Sequence, residues 1–203
     1  MLEIFIQSFT LYFIVVDPFG STPIFFVITQ NLNAKEKIKT AISATIIAAT
    51  ILLFFALLGN YILSYLNITF PAFTIAGGII LFIISLEMLF NKRQQRKEEN
   101  INFQSENISV FPLATPLLAG PAAITSVIVS VSDIGNNFVN QIIGITSLIL
   151  VMVLTFIIFF IASKFEKIIN KKIINIFSRV IGIILAGLSI QYILDGIKNF
   201  INL

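Results

Sequence analysis

The chain has 203 residues, 57% of them hydrophobic and only 11% charged, with a mean hydropathy of +0.99; a globular domain carries about 25% charged residues, so a water-soluble fold is excluded and a membrane protein implied. It has no cysteine and no histidine. Disulfides, thiolate nucleophiles, imidazole metal ligands and histidine proton relays are therefore excluded, and no cofactor or metal is expected. The pI near 9.2 does not point to nucleic acid, because the basic residues sit in short patches beside apolar runs, where they set topology.

Runs long enough to cross the bilayer core, roughly 20 residues each, cover residues 4–28, 40–66, 70–90, 109–132, 139–163 and 176–198. The first is expected to be retained, since Met1-Leu2-Glu3-Ile4 offers no basic n-region and no A-x-A-like cleavage site follows. Connections one, three and five carry Lys35, Lys37 and Lys39; Lys92, Arg93, Arg96 and Lys97; and Lys164, Lys167, Lys171 and Lys172, whereas connections two and four carry no basic residue. This alternation predicts six spans with both termini outside the cytoplasm. The polar stretch 91–107 reads as a flexible cytoplasmic linker without a binding role. It divides one transmembrane domain into a first half, 1–90, and a second, 108–203.

The halves resemble each other. Gly20, Ile24, Val27 and Ile28 recur as Gly120, Ile124, Val127 and Ile128, and Phe73, Gly78, Ile79, Ile80, Leu81 and Ser85 recur as Phe177, Gly182, Ile183, Ile184, Leu185 and Ser189. Two repeats of three spans must enter the membrane in opposite senses, which predicts inverted repeats with a substrate site between interrupted helices near the midplane.

The first span of each half is interrupted, by Asp17-Pro18-Phe19-Gly20-Ser21-Thr22-Pro23 and by Pro116-Leu117-Leu118-Ala119-Gly120-Pro121-Ala122. With Ser21 or Thr22 as N-cap, Pro23 is expected to start a half-helix, and Gly120-Pro121 another. The helix-breaking set is thus Pro18, Pro23 and Pro121. Two helix N-termini would then offer N–H groups to an anion. Asp17 costs about 2.5 to 3.5 kcal/mol at the centre of a span. It is read as a partner for a substrate ammonium, as a carboxylate that loads a proton or Na⁺, or as a local cap holding the kink. In that register Leu117 stands opposite Asp17, so the charge is present once.

The candidate substrate-binding set is Asp17, Gly20, Ser21, Thr22, Gly120, Ala122 and Thr125. Thr22, Thr125 and Ser126 are read equally as ligands or as hydroxyls bonded to their own backbone. Asp17 and Glu87 are candidates for ion coupling, although Glu87 lies near the basic linker. Arg179 and Asp195 read as interfacial residues, and Ala76-Gly77-Gly78 as a close-packing helix surface. Hydrolytic triads and HExxH chemistry need histidine, so an enzyme is not expected.

The segments DPFGSTPIF, AFTIAGGIILFIISLEMLF and FPLATPLLAGPAAITSVIV closely resemble the signature segments of the MarC family, in matching order over nearly the whole chain. That resemblance implies a six-span bacterial or archaeal inner-membrane protein similar to exporters of small solutes, with some members connected to small neutral amino acids. The family's motifs fall on Asp17, Pro18, Gly20 and Pro23; on Ala76, Gly77, Gly78 and Glu87; and on Gly120 and Pro121. Ala122 departs from them, standing where glycine is common. The resulting expectation is an all-α polytopic secondary transporter of a small zwitterion in the bacterial inner membrane, working by alternating access with the lipid bilayer as its surroundings; a channel and a non-transporting scaffold are the rivals.

Overall fold

A computed structural model describes residues 1–90, 109–133, 137–164 and 171–201. Among the described residues there are eight helices and no strand: α1 (Leu2–Val16), α2 (Pro18–Thr29), α3 (Ala34–Tyr65), α4 (Phe70–Leu89), α5 (Ser109–Leu118), α6 (Pro121–Asp133), α7 (Phe138–Lys164) and α8 (Lys171–Ile201). The 91–107 linker and Lys167 lie outside the described residues.

Five stretches are long and apolar enough to cross a membrane: Leu2–Thr29, which joins α1 to α2, then Ala34–Tyr65, Phe70–Leu89, Phe138–Lys164 and Ile176–Ile201. The α5–α6 pair qualifies as one more span when taken together, bent by 54° between Pro112–Leu118 and Pro121–Ser132. These stretches match the apolar runs of the sequence to within a few residues at most ends. The largest difference is the start of α3, which begins at Ala34 and not near residue 40. There Asn33 accepts from the Glu36 N–H at 3.0 Å while Glu36 accepts from the Asn33 N–H at 2.9 Å. This reciprocal cap extends the helix into polar sequence that apolar length alone does not register. At 32 residues, α3 is about 48 Å long, so it outreaches the roughly 30 Å hydrocarbon layer.

Helix α3 packs on α7, and Ala41, Ala44, Ala48 and Leu52 of α3 are fully buried. The stack of Phe25 on Phe159, ring centroids 4.6 Å apart, fixes α2 to α7. Large apolar residues remain exposed on the outward faces, among them Ile46, Leu57, Ile83, Val153 and Ile183. Against lipid tails, which are as apolar as leucine, such exposure carries no penalty.

The most extensive helix pair is α4 with α8. A Cβ added to Gly78 would meet the Ser189 carbonyl at 2.8 Å and Ile193 at 2.7 Å; one added to Gly182 would meet the Ser85 carbonyl at 3.2 Å and Met88 at 3.0 Å. Each glycine thus lies on the turn that carries the other helix's serine. Both serines donate three residues back, Ser85 to Phe82 O at 2.6 Å and Ser189 to Ala186 O at 2.7 Å. The glycine and serine identities that relate the third spans in sequence therefore meet in the α4–α8 contact, while Ile79, Ile183 and Ile184 are exposed. The packing is reciprocal elsewhere too: α1 and α2 both lie against α7, α5 and α6 both lie against α3, and α4 meets α6 as α8 meets α2.

Candidate functional site

The first break is one residue wide. Asp17, at φ 50° and ψ 64°, is at once the C-cap of α1 and the N-cap of α2. Its N–H donates to Phe13 O and its carbonyl accepts from Ser21 N–H, both at 3.0 Å. Left-handed backbone costs roughly 1–2 kcal/mol for most L-residues, and aspartate is one of the few that visits it routinely. The carboxylate then folds back onto the new helix, with Oδ1 accepting from the Gly20 N–H at 3.0 Å. A Cβ at position 20 would collide with that carboxylate. Glycine is needed here because an acid sits in the helix mouth. Across the break the Phe13 and Phe19 rings make an edge contact at 5.9 Å.

Two expectations are corrected. The half-helix starts at Pro18, five residues before Pro23, and neither Ser21 nor Thr22 is its N-cap. Pro18 takes the first helical position, where its missing N–H is no loss, and Asp17 outcompetes the hydroxyls as cap because it can also adopt the left-handed backbone. Pro23 lies inside α2 and deprives the Phe19 carbonyl of a donor without ending the helix. Nor is the N-terminus of α2 vacant for a substrate anion, since Asp17, 97% buried, supplies the negative charge itself.

The second break is built differently. Helix α5 is of the wide π type, with Ala119 N–H donating to Ala114 O, five residues back, at 2.9 Å. Pro112 and Pro116 lie inside it. A proline clashes with the carbonyl four residues back in an α-helix, and the extra residue per turn relieves this. Helix α6 then starts at Pro121, as expected, with the Gly120 carbonyl accepting from Ile124 N–H at 3.0 Å. A Cβ at Gly120 would stand 2.5 Å from the Pro116 carbonyl, so this tight turn admits only glycine. Glycine has no side chain with which to cap, and among the described residues no carboxylate is seen on the first-turn N–H groups of α6, at buried Ala122 and Ala123, of the kind Asp17 gives α2.

Aligned by their starts, Pro18 matches Pro121 and Thr22 matches Thr125. Asp17 then stands opposite Gly120 and not Leu117, because the π turn and the longer break shift the second half by residues that sequence identity alone does not reveal. The two threonines behave alike: Thr22 Oγ1 donates to Pro18 O at 2.7 Å and Thr125 Oγ1 to Pro121 O at 2.8 Å. The Thr125 methyl is pressed against Gly77 of α4. Both hydroxyl protons are therefore used on their own backbone, the local alternative of the two that the sequence left open.

The hydroxyls left over are others. Ser21 and Ser126, both fully buried, and Tyr12, 1% exposed, have side-chain oxygens without a hydrogen-bond partner. Ser21 belongs to the expected set; Tyr12 does not, although a tyrosine five residues before an intramembrane aspartate was there to be read. Tyr12 directs its hydroxyl toward Ser130 of α6 without closing a well-formed bond. A buried unsatisfied hydroxyl costs about 1–3 kcal/mol, and all three belong to helices that border the two breaks.

The other candidates are not gathered here. Half-buried Glu87 is in the last turn of α4, about 15 Å along the helix from where Gly77 meets α6. Asp195 accepts from Gln191 Nε2 at 2.9 Å within α8, and Arg179 is exposed. Among the described residues no group of three acidic side chains is arranged to hold a metal ion.

Comparison with known proteins adds kinship without an activity. Residues 2–201 match the MarC family of integral membrane proteins. A UPF0056 membrane protein of Methanocaldococcus jannaschii is 37% identical over 204 residues, covering 98% of each chain. One from Aquifex aeolicus is 31% identical, covering 98% of this chain and 94% of its own. Another from Buchnera aphidicola subsp. Baizongia pistaciae is 32% identical over 191 residues, covering 94% of each. No solved structure matches.

Proposed function

The chain belongs to the MarC family of integral membrane proteins, and from that premise we propose that it is a secondary transporter of small neutral zwitterions, of which small amino acids are the best fit. The observation that carries this reading is the pair of buried helix starts, one holding its own carboxylate and one open. A zwitterion matches them: its carboxylate docks on the Ala122 and Ala123 N–H groups of α6, and its ammonium pairs with Asp17. Ser21 and Ser126 supply hydrogen bonds to the guest. Protons or Na⁺ couple through Asp17, with Glu87, in the last turn of α4, as the second candidate for coupling.

The architecture proposed with it is six spans in two inverted repeats, α1–α4 and α5–α8, in the bacterial inner membrane with both termini on the outer side. The reciprocal packing of α4 on α8 and the like starts of α2 and α6 support the repeats, and the basic connections support the orientation. Alternating access then rocks one repeat against the other around the breaks. No enzymatic step is part of this reading.

The test is uptake of labelled glycine or alanine into liposomes carrying the purified protein. Wild type is expected to exchange internal for external amino acid and Asp17→Asn to lose that exchange; wild-type flux no greater than that of empty liposomes would refute transport, and undiminished flux in Asp17→Asn would refute the role of Asp17.

A further inference from the structure

The two halves of the first span differ in what surrounds them. Beyond the break, α2 is sealed by apolar packing: Ile24 and Phe25 are buried, and Phe25 stacks on Phe159. The hydroxyl of buried Thr29 is turned back to Phe25 O at 2.7 Å. Before the break, α1 and α6 meet along a polar seam. Ser8 and Tyr12 stand one turn apart on α1, and Ser126 and Ser130 one turn apart on α6, all four at most 8% exposed. Tyr12 and Ser130 face each other. Ser126, one turn nearer the start of α6, stands one turn from the Ala122 N–H. At the far end of α6, Ser132 donates to Asn60 Oδ1 at 2.6 Å, tying α6 to the end of α3.

Of these four buried hydroxyls, those of Tyr12 and Ser126 have unsatisfied oxygens, which packing alone does not explain. Apolar residues would fill the seam without that penalty, and polar groups at membrane depth persist where they line a water-filled cavity. We propose that the α1–α6 seam is a water-filled access route, closed in this conformation by the Tyr12 side chain, that connects Asp17 and the start of α6 to the membrane face where α3 and α6 end. When the seam opens, the Tyr12 and Ser126 hydroxyls bind water or the passing solute. Among the described residues, α2 beyond Ser21 carries no further unpartnered buried hydroxyl, so access along the seam is proposed from one face. This rests on the transporter reading for its purpose but not for its test.

The chain contains no cysteine, so single cysteines can be introduced into the native sequence. Ser126→Cys and Ser130→Cys are treated in sealed membranes with a membrane-impermeant thiosulfonate applied from either face, with Ser147→Cys on α7 as the control. Ser147 is equally buried, but its hydroxyl donates within its own helix, to Ile143 O at 2.8 Å. The two seam cysteines are expected to react from one face only, faster than the control by about tenfold or more, because modification needs solvent access to the thiolate. Truncating the bar, Tyr12→Ala, is expected to speed the reaction of Ser126→Cys further. Labelling of neither seam cysteine, or equal labelling from both faces, or a control that reacts as fast, overturns the route; an unchanged rate in Tyr12→Ala overturns Tyr12 as the bar. Amino acid flux with an unlabelled seam would leave the transporter and remove the route, and labelling without flux would do the reverse.

Discussion

The two breaks solve one problem with opposite chemistry. At the first, a single left-handed aspartate turns the chain and puts its own carboxylate on the helix it starts, with Gly20 making room. At the second, a π-helical lead-in and a glycine turn the chain, and the new helix is left without a charged cap. One helix start is neutralised from within and the other is available from without. The two interrupted spans are thus not equivalent in charge, and under the proposed transporter reading that asymmetry would give a zwitterion its orientation.

Substitutions at the breaks separate the two designs. Asp17→Ala is expected to show the largest effect, because it removes a cap worth about 0.5–2 kcal/mol and leaves alanine in left-handed backbone at roughly 1–2 kcal/mol; thermal unfolding in detergent should fall markedly and flux should vanish. Asp17→Asn keeps both the cap acceptor and the tolerance for that backbone, so it should fold nearly as well as wild type and fail in function alone. Next comes Gly120→Ala, whose Cβ meets the Pro116 carbonyl and forces a backbone shift of the kind that costs about 1–3 kcal/mol. Gly20→Ala meets only the Asp17 carboxylate, which can swing aside, so its loss is expected to stay near the roughly 1 kcal/mol of the cap bond. Equal melting points for the two alanine variants would contradict the contrast between the breaks.

Smaller effects sharpen the roles of the hydroxyls. Thr22→Val and Thr125→Val are expected to cost at most about 1 kcal/mol each, and equally, since each loses one bond to its own helix backbone; solute affinity should hold. Ser126→Ala is expected to leave the melting point unchanged or slightly raised, because an unpartnered hydroxyl is removed, while solute affinity falls severalfold. A threonine variant that lost affinity with Ser126→Ala retaining it would reverse the assignment.

Much of this was legible before any coordinates. The apolar runs located the long helices, the two proline–glycine interruptions located the breaks, and the Gly78 and Gly182 identities both lie in the α4–α8 contact, each against the turn that carries the other helix's serine. What escaped the sequence was register and partner choice. The start of α2 depends on whether Asp17 or a hydroxyl wins the cap, a competition settled by backbone conformation, which a string of residue types does not display. The π turn in α5 shifts the second half by residues that identity matching ignores. Tyr12, one of four tyrosines beside 21 phenylalanines, reads as core until the fold shows its hydroxyl without a partner.

The central claim is that Asp17 holds the ammonium and the start of α6 the carboxylate. Equilibrium binding of alanine and of propionate, which lacks the ammonium, to wild type and to Asp17→Asn tests it most directly. The account predicts that Asp17→Asn weakens alanine by about tenfold or more, near 1.4 kcal/mol, and leaves propionate unchanged; equal loss for both ligands, or no loss for alanine, would contradict it.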